Sequence, residues 1–394
     1  MKPMEENLKD LFMKYTTDGR IPGISAQVVQ RGETLAHVVT GLADKEAGKV
    51  LKEDALFRIY SMSKVITILG AMQLFEKGLF TLETPLSDFI PSFRRMNVIT
   101  GYDQDIPLLK PAVQPILMKH LLTMTSGIPY GFNPGSLPAD RFLLNRIGEA
   151  EKEKSAPQGS LNTRDYIEAL AGTALAFEPG DDFLYGYNHD ILGRVIEVLS
   201  GESFGSYLKK NIFDPLEMKE TTFLPDKEQA ERLVPLYRTV KAGEAPVRVA
   251  QDDPLTSFLF KKGGFESGGG GLISSLGDYS RYCEALLKEG SFDGHRIIGR
   301  KTLNLINRNH LTGKALATMS GDGYGYGLGV RVMMNPSLAG IPGSRGEYGW
   351  SGAAATWMCI DPAEELYAVM MLQLADCPYP LQREFAQILY GALA

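Results

Sequence analysis

Both ends of the chain read as β-structure and the middle does not. This predicts an α/β (α+β) fold, with an antiparallel sheet from both chain ends flanked by helices, plus a mostly helical inserted domain. Three observations carry the expectation. Ile24 to Gln30 and Leu35 to Thr40 are β-rich runs joined at Arg31-Gly32-Glu33, a hairpin signal. Thr356 to Asp361 and Leu366 to Leu372 form a second pair, split by Pro362-Ala363-Glu364-Glu365. From about residue 85 to 260, helical periodicity alternates with Pro/Gly-rich loops. The expected division is residues 1–85 and 265–394 for the sheet-containing domain and 86–264 for the helical one.

Taken in order, Met4, Leu8, Leu11, Phe12 and Tyr15 have the spacing of an amphipathic first helix, and Pro22-Gly23 ends the connection to the first strand. After the hairpin comes Ser61-Met62-Ser63-Lys64. An apolar helix follows, with Val65, Ile68, Leu69, Met72 and Phe75 at helical spacing and Gly78 as its stop. In the middle region, helix is expected at Pro111 to Leu122, Thr163 to Ala171, Asn188 to Leu199 and Phe204 to Ile212. Gly268-Gly269-Gly270-Gly271 lacks the G-x-x-x-x-G-K-[ST] pattern of a phosphate cradle and reads as tight backbone packing before a helix at Leu276 to Leu287. Leu381 to Tyr390 reads as a closing amphipathic helix.

Bulk properties exclude several function classes. The 394 residues are 44% apolar and 22% charged, the balance of an ordinary globular protein. A net charge of -6 with no basic run argues against nucleic acid as a partner. Three cysteines without a C-x-x-C, and five scattered histidines, give no expectation of a disulfide framework, a metal or another cofactor. The first residues carry no signal-peptide pattern and no apolar run is long enough to span a bilayer, so a cytoplasmic location and no membrane partner are expected. The oligomeric state has no signature in the sequence.

Three stretches supply chemistry. Ser61 and Lys64 fall on one face at a helix start, where a lysine can take a serine proton and a backbone N–H can face an oxyanion. Ser63 is a rival hydroxyl, but its position points it elsewhere on the helix. The second stretch runs from Pro179 through Tyr185-Gly186-Tyr187-Asn188 to Gly193; a tyrosine phenolate can act as a base if a cation such as Lys64 stands beside it. The third is Gly349-Trp350-Ser351-Gly352-Ala353, where glycine permits close backbone approach to a ligand. A fourth candidate, Gly201-Glu202-Ser203-Phe204-Gly205, satisfies G-x-S-x-G. It follows a helix-like stretch rather than a strand, so Ser203 reads as the cap of the next helix. His295 and His310 lie downstream and keep the triad alternative open.

In this order and spacing the first three stretches resemble the serine β-lactamase / penicillin-binding protein superfamily. The likeness extends to His120-Leu121-Leu122-Thr123-Met124-Thr125-Ser126-Gly127 and to Phe213-Asp214-Pro215-Leu216-Glu217-Met218. Within that superfamily the sequence is most similar to the family VIII carboxylesterases. The resemblance implies a serine β-lactamase-like fold with the active site between the two domains. It implies Ser61 as nucleophile, Lys64 as its proton partner, Tyr185 as base, and the amides of Ser61 and Ala353 as oxyanion hole. Met62, Tyr130, Tyr187, Trp350, Ser351 and Gly352 are the expected substrate-binding residues.

Two departures from the lactamase pattern favour a neutral ester. Trp350 stands where lactamases carry a cation, and Tyr187 stands where they carry an asparagine, leaving Asn188 as the one neighbouring amide that could take that place. The implied activity is hydrolysis of carboxylic esters with short-to-medium acyl chains through an acyl-enzyme on Ser61. The partner is then a small-molecule ester, with β-lactams as weak substrates at most. The alternatives are a β-lactamase or D-amino-acid peptidase using the same nucleophile, a transacylase, and a non-catalytic binding or scaffold protein on the same fold.

Overall fold

The computed structural model describes residues 3–103, 106–131, 138–154, 161–257, 264–319 and 323–393. Its centre is an eight-stranded sheet. In chain order the strands are β1 (Gly23–Gln30), β2 (Glu33–Asp44), β3 (Lys49–Val50), β4 (Tyr324–Tyr326), β5 (Arg331–Met333), β6 (Tyr348–Ser351), β7 (Trp357–Asp361) and β8 (Leu366–Met371). They lie side by side as β4-β5-β6-β7-β8-β1-β2-β3, every pair antiparallel. The two chain ends meet at β8 and β1, where Ser25 faces Met371 and Gln30 faces Leu366. The turn from β1 to β2 uses left-handed backbone at Arg31 (φ 51°) and Gly32 (φ 78°), the geometry a two-residue hairpin needs.

Two helical layers cover this sheet. On one face lie α1 (Met4–Thr16) and the closing helix α5 (Leu381–Gly391), joined through Phe12 stacked on Phe385 at 6.0 Å. The other face carries α2 (Ser63–Glu76), α3 (Asn188–Ser200) and α4 (Leu276–Leu287), whose apolar side chains merge with those of the sheet into one large core. Every residue of α2 from Ser63 to Leu74 is buried, so this helix is enclosed all round, its polar Ser63, Lys64, Thr67 and Gln73 included. Gly78, at φ 72°, ends the turn that follows it.

The middle region departs from expectation chiefly in two places. Of the stretch Pro111 to Leu122 only Met118–Leu122 is helix, with Asn97–Asp103 and Ile106–Pro111 forming a hairpin ahead of it, and Pro138–Glu153 is a helix beyond those expected. Pro115 lies inside the stretch expected to be helical, and a proline there removes an i→i−4 bond. Among the described residues no helix is long and apolar enough to cross a membrane.

Candidate active site

Ser61 stands on a strained corner. The strand Leu56–Arg58 pairs with Ile273–Ser275 and passes into a single 3₁₀ turn, Tyr60–Met62, before α2 begins. Tyr60 has φ 43°, an unfavourable backbone for a bulky residue. The two residues before it are pinned: Ile59 N donates to Leu272 O at 3.1 Å, and Gln373 Nε2 donates to Arg58 O at 2.9 Å. Ser61 is half-exposed, whereas Ser63 is buried and its hydroxyl accepts from Leu272 N at 3.2 Å. The rival hydroxyl is therefore turned inward. Met62 is turned inward too: it is fully buried in the main core, and its carbonyl accepts from Tyr279. It was expected in the substrate pocket but packs in the core, because residues one and two apart on a helix do not face the same side.

Lys64 is wholly buried and aims its ammonium at three oxygens. It donates to Ser61 Oγ at 3.1 Å, to the Tyr130 hydroxyl at 3.3 Å and to Gly269 O at 2.5 Å. It also lies 4.6 Å from the centre of the Tyr185 ring and 5.2 Å from that of Tyr130. The glycine run is what lets its carbonyl reach so deep. A side chain on Gly268 would strike His189 O, and one on Gly269 would strike the Asp190 carboxylate and the Tyr130 hydroxyl.

Tyr185 stacks on Trp350 with ring centres 5.8 Å apart, and Trp350 Nε1 donates to the Tyr185 hydroxyl at 3.1 Å. Tyr130 lies between Tyr185 and Tyr187, at 5.7 and 4.6 Å from their ring centres. The Tyr187 hydroxyl bonds that of Tyr166 at 2.7 Å, and Tyr166 stacks on Phe265 at 4.1 Å. Asn188 does not supply an amide to the cleft: it is buried, its Oδ1 accepts from Ser126 at 2.5 Å and its Nδ2 faces Met124 Sδ.

β6 brings the remaining groups. Gly352 N donates to Thr356 O, and a side chain at Gly352 would collide with Ile59 O, so this loop closes directly onto the corner that carries Ser61. Among the described residues neither the Ser61 nor the Ala353 amide donates a backbone hydrogen bond. Ala353 is exposed, and Ser351 and Gly352 are half-exposed.

Burial and charge act together behind Lys64. Burial raises the Asp190 carboxyl above its ordinary value, against the opposing pull of Lys64 and of the Ser267 and Gly269 donors. Burial and then Asp190 push Tyr130 well above the usual phenol range. Burial and Lys64 keep His189 neutral. Reading the residues alone did not assign Gly269, Asp190 or Tyr166 to the site. The one available signal was the glycine run, which announces close packing without saying against what.

Ser203 lies outside this cluster. α3 ends at Gly201 (φ 73°), and Ser203 caps the helix Phe204–Leu208 by accepting from Ser206 N. The helix α3, and not a strand, leads into it, so the nucleophile-elbow alternative is not met.

Residues 8–390 match the model of the Beta-lactamase family. The chain belongs to the Beta-lactamase family. Within that family it is similar to Esterase EstB of Burkholderia gladioli, 28% identical over 385 residues, covering 93% of this chain and 90% of that one. It is similar also to Protein Rv1367c of Mycobacterium tuberculosis (strain ATCC 25618 / H37Rv), 28% identical over 369 residues, covering 91% and 87%. Among solved structures, EstCE1, a hydrolase with promiscuous acyltransferase activity, superposes with a TM-score of 0.82 at 23% identity over 99% of both chains. The serine β-lactamase-like fold is that of this family. Among the described residues no group of three or more His, Cys, Asp or Glu side chains could hold a metal ion.

Proposed function

We propose that this chain is a serine carboxylesterase acting on small-molecule esters. The observation that carries the reading is the Lys64 ammonium 3.1 Å from Ser61 Oγ, with the Tyr185 ring over the same ammonium. Ser61 attacks the ester carbonyl while its proton passes to Tyr185, with Lys64 stabilising the charge. The Ser61 and Ala353 amides, both without backbone acceptors among the described residues, hold the oxyanion. The proton returns to the departing alkoxide, and water then splits the acyl-enzyme by the same route.

The choice of ester over lactam rests on Trp350. An indole stacked on the base gives an apolar wall where a lactamase cation would receive a substrate carboxylate. Tyr130, Tyr187, Ser351 and Gly352 line the same cleft in this reading, between the sheet-containing domain and the 86–264 insertion. Similarity to the esterase EstB supports hydrolysis, and the promiscuous acyltransferase activity of EstCE1 keeps transfer to an alcohol as a neighbouring reaction of the same acyl-enzyme.

The test is a panel of p-nitrophenyl esters of rising chain length beside nitrocefin, on wild type and Ser61→Ala. Esters of short-to-medium chain should turn over faster than nitrocefin, and Ser61→Ala should fall to background while remaining folded. Nitrocefin preferred over every ester would favour a lactamase; full activity in Ser61→Ala would reject the nucleophile.

A further inference from the structure

Asp190 is completely buried, and the hydrolytic scheme gives it no task. It lies on α3. Its Oδ1 accepts from Ser267 Oγ at 2.5 Å and from Gly269 N at 3.1 Å, while its Oδ2 has no hydrogen-bond partner among the described residues. The carbonyl of the same Gly269 receives Lys64 Nζ at 2.5 Å. Asp190 therefore fixes the residue that fixes the lysine. Its free oxygen and the Tyr130 hydroxyl face the same point beside the Gly269 backbone, since a methyl group there would meet both. A buried carboxylate oxygen without a partner is costly, and such groups persist where the charge is used.

Two phenols flank Lys64, and only one can be the base. Tyr185 has the ammonium over its ring, and its hydroxyl oxygen accepts a hydrogen bond from Trp350 Nε1. Tyr130 also accepts from the ammonium, but it faces the Asp190 carboxylate, which opposes a second negative charge.

We propose that Asp190 is a positioning residue for the hydrolysis described above, and the proposal rests on that reading of Ser61, Lys64 and Tyr185. It holds the Gly269 carbonyl on Lys64, supplies the negative charge opposite the ammonium, and by opposing charge on Tyr130 confines proton removal to Tyr185. As the Ser61 Oγ–C bond forms, the Ser61 proton moves to the Tyr185 oxygen; as the C–O bond to the alcohol breaks, it moves to the alkoxide. Asp190 gains and loses no proton in the cycle. The other ionisable groups around this centre are His189 on the same helix, held neutral, and Tyr187 and Tyr166 beyond Tyr130, both raised by burial.

The test is Asp190→Asn, which keeps the shape and the Oδ1 acceptor and removes the charge. kcat on p-nitrophenyl butyrate should fall on the order of 10–100-fold, as for supporting partners of other functional groups, with KM within about two-fold. The loss should fall on kcat and not on KM, the split expected of a residue that acts through Lys64 and does not bind substrate. Near-UV circular dichroism reports the fold. Ser267→Ala removes one donor to the carboxylate without removing its charge and should lower kcat the same way by less; it decides the matter if Asp190→Asn does not fold. An unchanged kcat in the folded variant, with Ser61→Ala inactive in the same assay, would overturn the proposal. Activity in Ser61→Ala would instead overturn the site assignment beneath it.

Discussion

Behind Ser61 the site is closed, and in front of it the site is open. The rear consists of Lys64, Gly269, Asp190 and His189, all buried, with backbone packed so tightly that Gly268 and Gly269 have no room for a side chain. The front consists of Tyr185, Tyr187, Tyr130 and Trp350, all half-exposed and held mainly by ring contacts 4.6 to 5.8 Å between centres. At the rear the same atoms fold the protein and set the charge of the site. At the front the half-exposed side chains present the surface a substrate would meet. Trp350 is on the front, and the Ser-x-x-Lys pair is anchored at the rear.

The largest expected effect divides the front itself. Tyr185→Phe should lower kcat by about 10²–10⁴-fold, the usual worth of a general base, with little change in KM. Tyr130→Phe removes only one of three acceptors of Lys64 and should cost about ten-fold or less, comparable to one net hydrogen bond to a charged group. Steady-state kinetics on one chromogenic ester measures both. A reversed order would make Tyr130 the base and remove the discrimination assigned to Asp190.

A smaller effect probes the rear. Gly269→Ala adds one methyl group directed at the Asp190 carboxylate and the Tyr130 hydroxyl. Overpacking of this kind costs about 1–3 kcal/mol, and here it should also lower kcat, since Lys64 loses its carbonyl. Urea unfolding and kinetics on the same sample should show both losses together. Loss of stability with wild-type kcat would separate folding from chemistry at the rear and contradict the comparison.

The two regions also differ in how legible they are in the sequence. Ser61 and Lys64 are neighbours on one helix, so spacing alone brings them together, and the structure sets them 3.1 Å apart. Four of the eight strands, β1, β2, β7 and β8, were readable for a similar reason, since each hairpin is a local signal, whereas the short strands β3 to β6 were not read and the pairing of β1 with β8 is long-range. Tyr185 and Ala353 needed a resemblance, because no local pattern links them to Ser61. Trp350 was expected as an apolar wall, but its indole N–H on the Tyr185 hydroxyl depends on a contact between residues 165 apart. The Gly269 carbonyl reaches Lys64 across 205 residues, and nothing in a glycine run names its partner. Met62 was misplaced because proximity along the chain is not proximity on a helix face.

The smallest expected effect lies outside both regions, at the serine that sequence pattern alone offers as a rival. Ser203 satisfies a nucleophile motif, yet its hydroxyl accepts from Ser206 N and bonds Ser206 Oγ at 2.9 Å, the behaviour of a helix cap. Ser203→Ala should therefore cost about 1 kcal/mol of stability, the typical value of a lost N-cap, and leave ester turnover unchanged. A thermal melt beside the p-nitrophenyl ester assay measures the two quantities. A hydroxyl whose loss touched kcat from this position would have to act on the cleft through α3, the helix that carries Asp190 and ends two residues before Ser203 at Gly201. Only in that case would the rear of the site extend to the far end of the helix that builds it.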